Sequence, residues 1–233
     1  MKLSSLSLVF PAYNEAKNLP VLFSHIQNVV PEMVEDFEVI VVNDGSRDNT
    51  LELLVENSKK YSWLKYLSHQ KNQGYGQAVR SGILAAHKDY IFFSDSDLQF
   101  DLRSLGCFFP YISAYKAVIG YRAPRSDNLI RLLNGWLWKK LVEILFSIKV
   151  RDLDCAFKMF HRDVQQIVRN MECRGAMFST ELLYYLKKHN WNWIELPVKH
   201  YPRKHGTQTG ANIKVILKAF WELFQFWRKK RKI

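Results

Sequence analysis

The sequence predicts a mostly parallel α/β sheet flanked by helices, on three observations. Short apolar runs of strand length alternate with segments whose apolar residues recur at helical spacing. A polar cluster follows each of the leading predicted strands. No internal repeat, low-complexity tract or Pro/Gly/Ser linker divides the 233 residues, enough for one α/β domain with a full core. Strands that alternate with helices pair in parallel, because a parallel neighbour needs a long crossover and a helix supplies it.

The elements follow in order. Leu6 to Phe10 is an apolar run stopped by Pro11 and reads as a central strand. Leu19, Leu22, Phe23, Ile26, Val29 and Val30 have helical spacing. Phe37 to Val42 is a second buried strand, and Asn43-Asp44-Gly45-Ser46 is a turn signal. Asp48 or Asn49 is placed to cap a helix carrying Leu51, Leu54 and Val55. A weaker strand at Leu64 to Leu67 leads through Asn72-Gln73-Gly74-Tyr75-Gly76 into a small-residue helix at Gln77 to Ala86. Tyr90 to Phe93 and Ala117 to Gly120 are further strands. Then come a long amphipathic helix at Leu129 to Ile148, a helix at Met177 to Leu186, a strand at Trp193 to Val198 and the basic loop Tyr201 to Gly210. From Ala211 the chain is again helical, with Ile213, Ile216, Leu217, Phe220, Phe224 and Trp227 as its stripe.

In open α/β sheets ligands sit beyond the carboxyl ends of the strands. Tyr13-Asn14-Glu15, Asn43-Asp44-Gly45, Asn72 to Gly76 and Asp95 to Gln99 all follow predicted strands, so they gather on one edge. In Asp95-Ser96-Asp97-Leu98-Gln99 the two carboxylates stand two residues apart and point the same way while the chain stays extended. They can therefore converge on one hard cation, with Gln99 as a third oxygen. Mg²⁺ or Mn²⁺ held this way keeps open positions for substrate phosphates. A polar turn that merely ends a strand is the competing reading of the Asp-x-Asp pattern taken alone.

The net charge of +12 implies an anionic partner: nucleic acid, phosphorylated substrate or acidic membrane surface. Three widely spaced cysteines, Cys107, Cys155 and Cys173, make neither a zinc site nor a disulfide framework and suggest a reduced compartment. No signal peptide and no transmembrane helix are expected.

Pro11-Ala12-Tyr13-Asn14-Glu15, Val42-Asn43-Asp44-Gly45-Ser46 and Asp95-Ser96-Asp97-Leu98-Gln99 together resemble family 2 glycosyltransferases of the GT-A fold, most closely the dolichyl-phosphate mannose synthase and polyprenyl-phosphate glycosyltransferase branch. The resemblance implies that Pro11, Tyr13, Glu15, Val42 and Asp44 line the nucleotide pocket. It implies that Asp95, Asp97 and Gln99 surround Mg²⁺ or Mn²⁺, with Ser96 close to the diphosphate. Arg122, Arg131 and Arg203 fall where the family places cations against donor or acceptor phosphates. Residues 1–210 are then the glycosyltransferase domain, and 211–233 a basic amphipathic helix packed on or beside it. Asn43 stands where many relatives carry an aspartate, Ala156 where a glycine is common, and Gln208 where the mannose synthases often carry serine, with Thr207 or Thr209 as substitute hydroxyls.

The implied activity is the inverting transfer of one sugar from a GDP- or UDP-linked donor. A lipid-phosphate acceptor is already an anion and needs no dedicated base. A hydroxyl acceptor needs a carboxylate within reach, for which Glu181, Asp152 and Asp154 are candidates. Glu181 sits on an apolar helix, where structural pairing and an acceptor-site role are equally open readings. Helix 129–148 and the terminal helix each set an apolar stripe beside basic residues. Trp221, Trp227 and the run Arg228 to Lys232 fit a helix lying in an anionic membrane interface. A peripheral place on the cytoplasmic membrane face follows as the expectation, although the same stripe would serve a dimer. A nucleic-acid-binding module fits the charge but lacks any RNA-binding signature, so no nucleic-acid partner is expected. A nucleotide-binding relative without activity is disfavoured by the intact acidic set.

Overall fold

The computed structural model describes residues 2–123, 129–203, 205 and 213–231, with side chains omitted for 129–131, 213–218 and 231. Its centre is a seven-stranded sheet in the order β3-β2-β1-β4-β6-β5-β7. The strands are β1 (Leu3–Ala12), β2 (Val34–Asn43), β3 (Leu64–Ser68), β4 (Tyr90–Ser94), β5 (Ala117–Arg122), β6 (Phe157–His161) and β7 (Trp193–Val198). The helices are α1 (Leu19–Met33), α2 (Thr50–Lys60), α3 (Tyr75–Leu84), α4 (Leu129–Phe146), α5 (Val164–Arg169), α6 (Phe178–Lys188) and α7 (Ile213–Arg231). Strands β3, β2, β1 and β4 run parallel. β6 is antiparallel to both of its neighbours, and β7 is parallel to β5.

The expected mostly parallel sheet is therefore present, with one strand, β6, that the apolar pattern does not reveal. Its second residue is Lys158, in register with Phe93 on one side and Ile119 on the other. A lysine in mid-run breaks the apolar signal. The fold accommodates it by burying the side chain completely and directing Nζ to the carbonyls of Leu153 (3.4 Å) and Cys155. Burial lowers the Lys158 pKa, and the nearby acidic groups pull it back up.

Pro11 does not end β1. The strand runs on through Ala12, paired with β2, past the point where β4 has stopped pairing at Val9. Proline's missing N–H costs nothing on a side where no ladder continues. Phe10, Phe92, Phe93, Phe157 and Phe160 are buried, and full burial of such a side chain is worth roughly 1.5–3 kcal/mol. α3 lies close on β1 and β2 at Gly82, where an added Cβ would come within 2.3 Å of Val9 Cγ1. α7 joins the same core through Leu223, and Phe226 packs between Phe146 of α4 and Tyr184 of α6. Among the described residues no helix is long and apolar enough to cross a membrane.

Candidate active site

The loops that leave β1, β2, β3 and β4 meet at one rim. The amide of Asn14 donates to Ser46 Oγ (2.9 Å), and Asn14 Oδ1 accepts from the amide of Arg47 (2.8 Å). Asn14 makes this turn at φ 57°, a left-handed geometry that asparagine tolerates better than most residues. The next loop is tied back by Ser96, whose hydroxyl donates to the Pro11 carbonyl (2.8 Å). Asp44 is buried and accepts the amides of Gln73 and Gly74 (both 2.9 Å), and His69 Nδ1 lies 2.7 Å from its Oδ1. Gly45, at φ 67°, has no room for a Cβ, which would meet the Lys71 and Asn72 backbone within 2.6 Å. Asn43 shapes the same turn, accepting from the Ser46 amide (3.1 Å) and donating to Ser68 Oγ (3.0 Å).

The acidic stretch follows β4 and bends at once, with Leu98 at φ 63°. Such strain in a non-glycine residue is typical of functional loops. Asp97 Oδ1 accepts the Gln99 amide (3.2 Å), while Oδ2 faces Arg203 (3.3 Å). The other arm of that guanidinium reaches Glu15 Oε1 (2.5 Å). Glu15 is held in turn by Asn18 Nδ2 (2.5 Å) and, at its amide, by Thr50 Oγ1 (2.9 Å). Gln99 exchanges two hydrogen bonds with Tyr201, a side-chain donation of 3.0 Å and a backbone acceptance of 2.8 Å. The start of the basic loop is thereby docked on the acidic rim.

Asp95 sits beside Asp97. Burial first, then the charge of Asp97, pushes the Asp95 carboxyl up to about 7, although the Tyr75 hydroxyl, Lys158 and Arg122 favour its ionised form. Burial raises Asp97 as well, against the pull of Arg203. Two carboxylates whose neighbourhood resists their joint ionisation suit a divalent cation. Among the described residues no group of three or more His, Cys, Asp or Glu is placed to hold a metal ion by itself. Asp95 and Asp97 are the two neighbouring carboxylates at the rim that an oxygen-seeking divalent cation could use, and Asp97 is paired with Arg203 here.

Other expected site residues lie as follows. Tyr13 is exposed at the rim. Val42 is fully buried, with Cγ2 toward Gly82 in the core, so its side chain lines no pocket. Arg122 forms a two-armed pair with Asp152, 2.7 Å and 2.9 Å, and its amide adds a bond to the same carboxylate (3.2 Å). Asp154 is exposed. Glu181 is buried on α6 and accepts the amides of Glu172 (3.0 Å) and Cys173 (2.7 Å). The side chain of Arg131, and residues Thr207, Gln208 and Thr209, lie outside the described residues.

Three residues enter the site that the motifs did not name. Tyr75 reaches Asp95 from between two glycines, within the Asn72 to Gly76 loop that the sequence places at the site edge without giving Tyr75 a role. His69 bridges Asp44 and Ser81 Oγ (3.0 Å), directly after β3. Lys158 was signalled by its place inside an apolar run.

Residues 7–167 match the family described as Glycosyl transferase family 2. The chain belongs to that family. Among curated proteins it is 29% identical over 215 residues to the dolichyl-phosphate beta-glucosyltransferase ALG5C of Trichomonas vaginalis, covering 83% of this chain and 63% of the relative. It is 27% identical over 217 residues to the undecaprenyl-phosphate 4-deoxy-4-formamido-L-arabinose transferase of Pectobacterium atrosepticum, covering 92% and 65%. The chain thus spans a little under two thirds of the length of these relatives. Among solved structures, glucosyl-3-phosphoglycerate synthase from Mycobacterium tuberculosis in complex with Mn²⁺ and UDP-glucose superposes with a TM-score of 0.69 at 17% identity, covering 94% of this chain and 78% of that one. TarS of S. aureus in complex with UDP-GlcNAc gives 0.61 at 18%, covering 91% and 62%. At these identities the family 2 glycosyltransferase shares its fold with them, the GT-A arrangement expected from the motifs.

Proposed function

We propose that this chain transfers one sugar, with inversion, from a nucleotide-diphosphate sugar to a polyprenyl phosphate at the cytoplasmic face of a membrane. The observation that carries the acceptor class is the engagement of the buried carboxylates. A hydroxyl acceptor needs a base within reach. Of the three candidates, Glu181 is occupied by two backbone amides and Asp152 by Arg122, while Asp154 is exposed and its charge acts on Lys158. A phosphate acceptor is already an anion and needs none of them. The named acceptors of the curated relatives, dolichyl and undecaprenyl phosphate, support the same class.

The roles of the chain's own residues follow from where they stand. Tyr13 offers an exposed ring for a nucleoside at the mouth of the rim. Asp44 holds the 73–74 turn that walls the same mouth. Asp95 and Asp97 are the groups that would hold Mg²⁺ or Mn²⁺, with Gln99 beside them. When bound, that cation supplies charge neutralisation for the leaving diphosphate. Arg203, now shared between Glu15 and Asp97, is within a side-chain swing of any phosphate placed there and adds positive charge against the departing group.

The membrane placement rests on α4 and α7. These helices touch through an edge-on contact of Trp138 with Phe220, ring centroids 5.3 Å apart. Leu133, Trp136, Leu137 and Ile144 of α4 and Phe220, Trp221 and Phe224 of α7 stay exposed. Trp227 is not part of that surface, being half-buried against the core. Paired helices with exposed aromatic residues and flanking lysines match an interfacial, not a spanning, mode.

A panel of radiolabelled UDP- and GDP-sugars, with and without polyprenyl phosphate, tests the reading by solvent extraction. Label should enter the organic phase only when the lipid phosphate and a divalent cation are both present. Label that appears instead on a water-soluble hydroxyl compound, or transfer that persists in excess chelator, would overturn it.

A further inference from the structure

Glu181 is the carboxylate for which the proposed transfer has no step. It is 1% exposed, in the first turn of α6, and its oxygens face a short segment of chain, residues 172–175. Oε1 accepts the Glu172 amide (3.0 Å), and Oε2 accepts the Cys173 amide (2.7 Å) while also lying 3.2 Å from that of Glu172. Two N–H groups aimed at one side chain call for an acceptor-only group. A carboxylate is one, and a glutamine amide would turn its own N–H₂ toward one of them.

The segment that Glu181 holds presses on the start of α3. The Arg174 carbonyl accepts the Gln77 amide (3.1 Å). At Gly74, φ 101°, an added Cβ would stand 2.5 Å from that same carbonyl oxygen. At Gly76 it would stand 2.8 Å from the Gly175 oxygen and 2.9 Å from Phe178 Cβ. Backbone therefore rests on backbone with no space between. The opposite side of the turn is pinned by Asp44 through the amides of Gln73 and Gly74. Tyr75 stands between those two glycines, beside Asp95.

We infer that Glu181 is a positioning residue: by fixing residues 172–175 it sets the 74–77 turn from below, and so places Tyr75 and the donor wall against the acidic rim. This rests on the reading of that rim as the donor site. Asp44 and Glu181 act as two jaws on one turn, one from the β2 loop and one from α6. The outer side of the segment carries a different kind of contact, the exposed pair of Glu172 with Lys229 on α7. That pair serves as the control, since an exposed ion pair contributes little to holding backbone.

The test compares Glu181→Gln, Glu181→Asp and Lys229→Ala in the full chain by amide hydrogen exchange, without substrate. In Glu181→Gln the Gly74 and Gln77 amides should exchange about tenfold or more faster, because the local opening they report becomes easier. The β1 and β2 amides should be unchanged. Glu181→Asp, with its charge kept but its reach shortened, should fall between, and Lys229→Ala should match the unsubstituted chain. With the best sugar donor from the panel, Glu181→Gln should raise the donor KM about tenfold and change kcat less. Wild-type exchange at 74 and 77 in Glu181→Gln would overturn the inference. So would a collapse of kcat at unchanged donor KM, which is the mark of a base acting on the acceptor. If Glu181→Gln does not fold, Glu181→Asp carries the same comparison. The exchange readout needs no acceptor, so an error in the acceptor class leaves it intact.

Discussion

At the scale of single residues, each side chain on the rim has two duties that compete. Asp97 orders its own loop through the Gln99 amide and meets Arg203 with its other oxygen. Its burial makes the charge expensive. Asp97→Asn should therefore leave stability within ~1 kcal/mol of the unsubstituted chain by thermal unfolding, while transfer falls at least ~100-fold, as expected when an electrostatic group at the reacting centre is lost. Retained transfer would remove Asp97 from the chemistry. Glu38, far from the rim, shows the opposite balance. Burial opposes its ionisation, but hydrogen bonds from Lys65 (2.7 Å), Ser7 (2.6 Å) and the His87 amide (2.6 Å) outweigh it and hold its pKa below the ordinary 4.5. A depressed carboxyl stabilises the fold above its unfolded pKa, and that contribution is lost as pH falls through the folded value. Glu38→Gln should cost roughly 1–3 kcal/mol at pH 7, with the gap to the unsubstituted chain closing below about pH 4. A gap independent of pH in denaturant titrations would contradict this.

At the scale of elements, the close approach of α3 to the sheet and the burial of Lys158 show where pattern reading works and where it stops. The apolar runs 6–10 of β1, 39–42 of β2 and 90–93 of β4 carry no charged residue, so period and composition suffice for them. Strand β6 carries Lys158 as its second residue, and a local reading has no way to supply the carbonyls of Leu153 and Cys155 that make burial tolerable. Gly82 poses the converse case. In sequence it is a weak position in a helix, but in the fold it is the contact that lets α3 sit on Val9 and Val42. Gly82→Ala gains helix propensity of about 1 kcal/mol, yet the added Cβ meets Val9 at 2.3 Å. The net should be destabilisation of roughly 1–3 kcal/mol, from overpacking. A higher melting temperature in calorimetry would show that the sheet yields instead.

At the scale of the whole molecule, α4 and α7 put one apolar surface outside the sheet, away from its core. Part of the basic run is engaged within the protein, since Lys229 makes an exposed pair with Glu172 and Lys230 donates to Tyr185 Oη (2.7 Å). Membrane affinity then depends more on the aromatic residues than the run of charges suggests. The double variant Trp221→Ser, Phe224→Ser should lose at least ~10-fold in binding to vesicles of anionic phospholipid, given about 1.5–3 kcal/mol for each large apolar side chain removed from water. Nucleotide binding should be unchanged. Equal loss of both would mean that α7 is only a structural prop. The sequence by itself determined the strands and helices other than β6 and α5, the family and the acidic stretch at the end of β4, because apolar period and short motifs are local properties of the chain. Only the tertiary structure decided what each polar group faces. Glu181 faces the amides of Glu172 and Cys173, and Val42 is fully buried with Cγ2 toward Gly82. A side chain's partners come from segments far away in the chain, and neither spacing nor residue type encodes them.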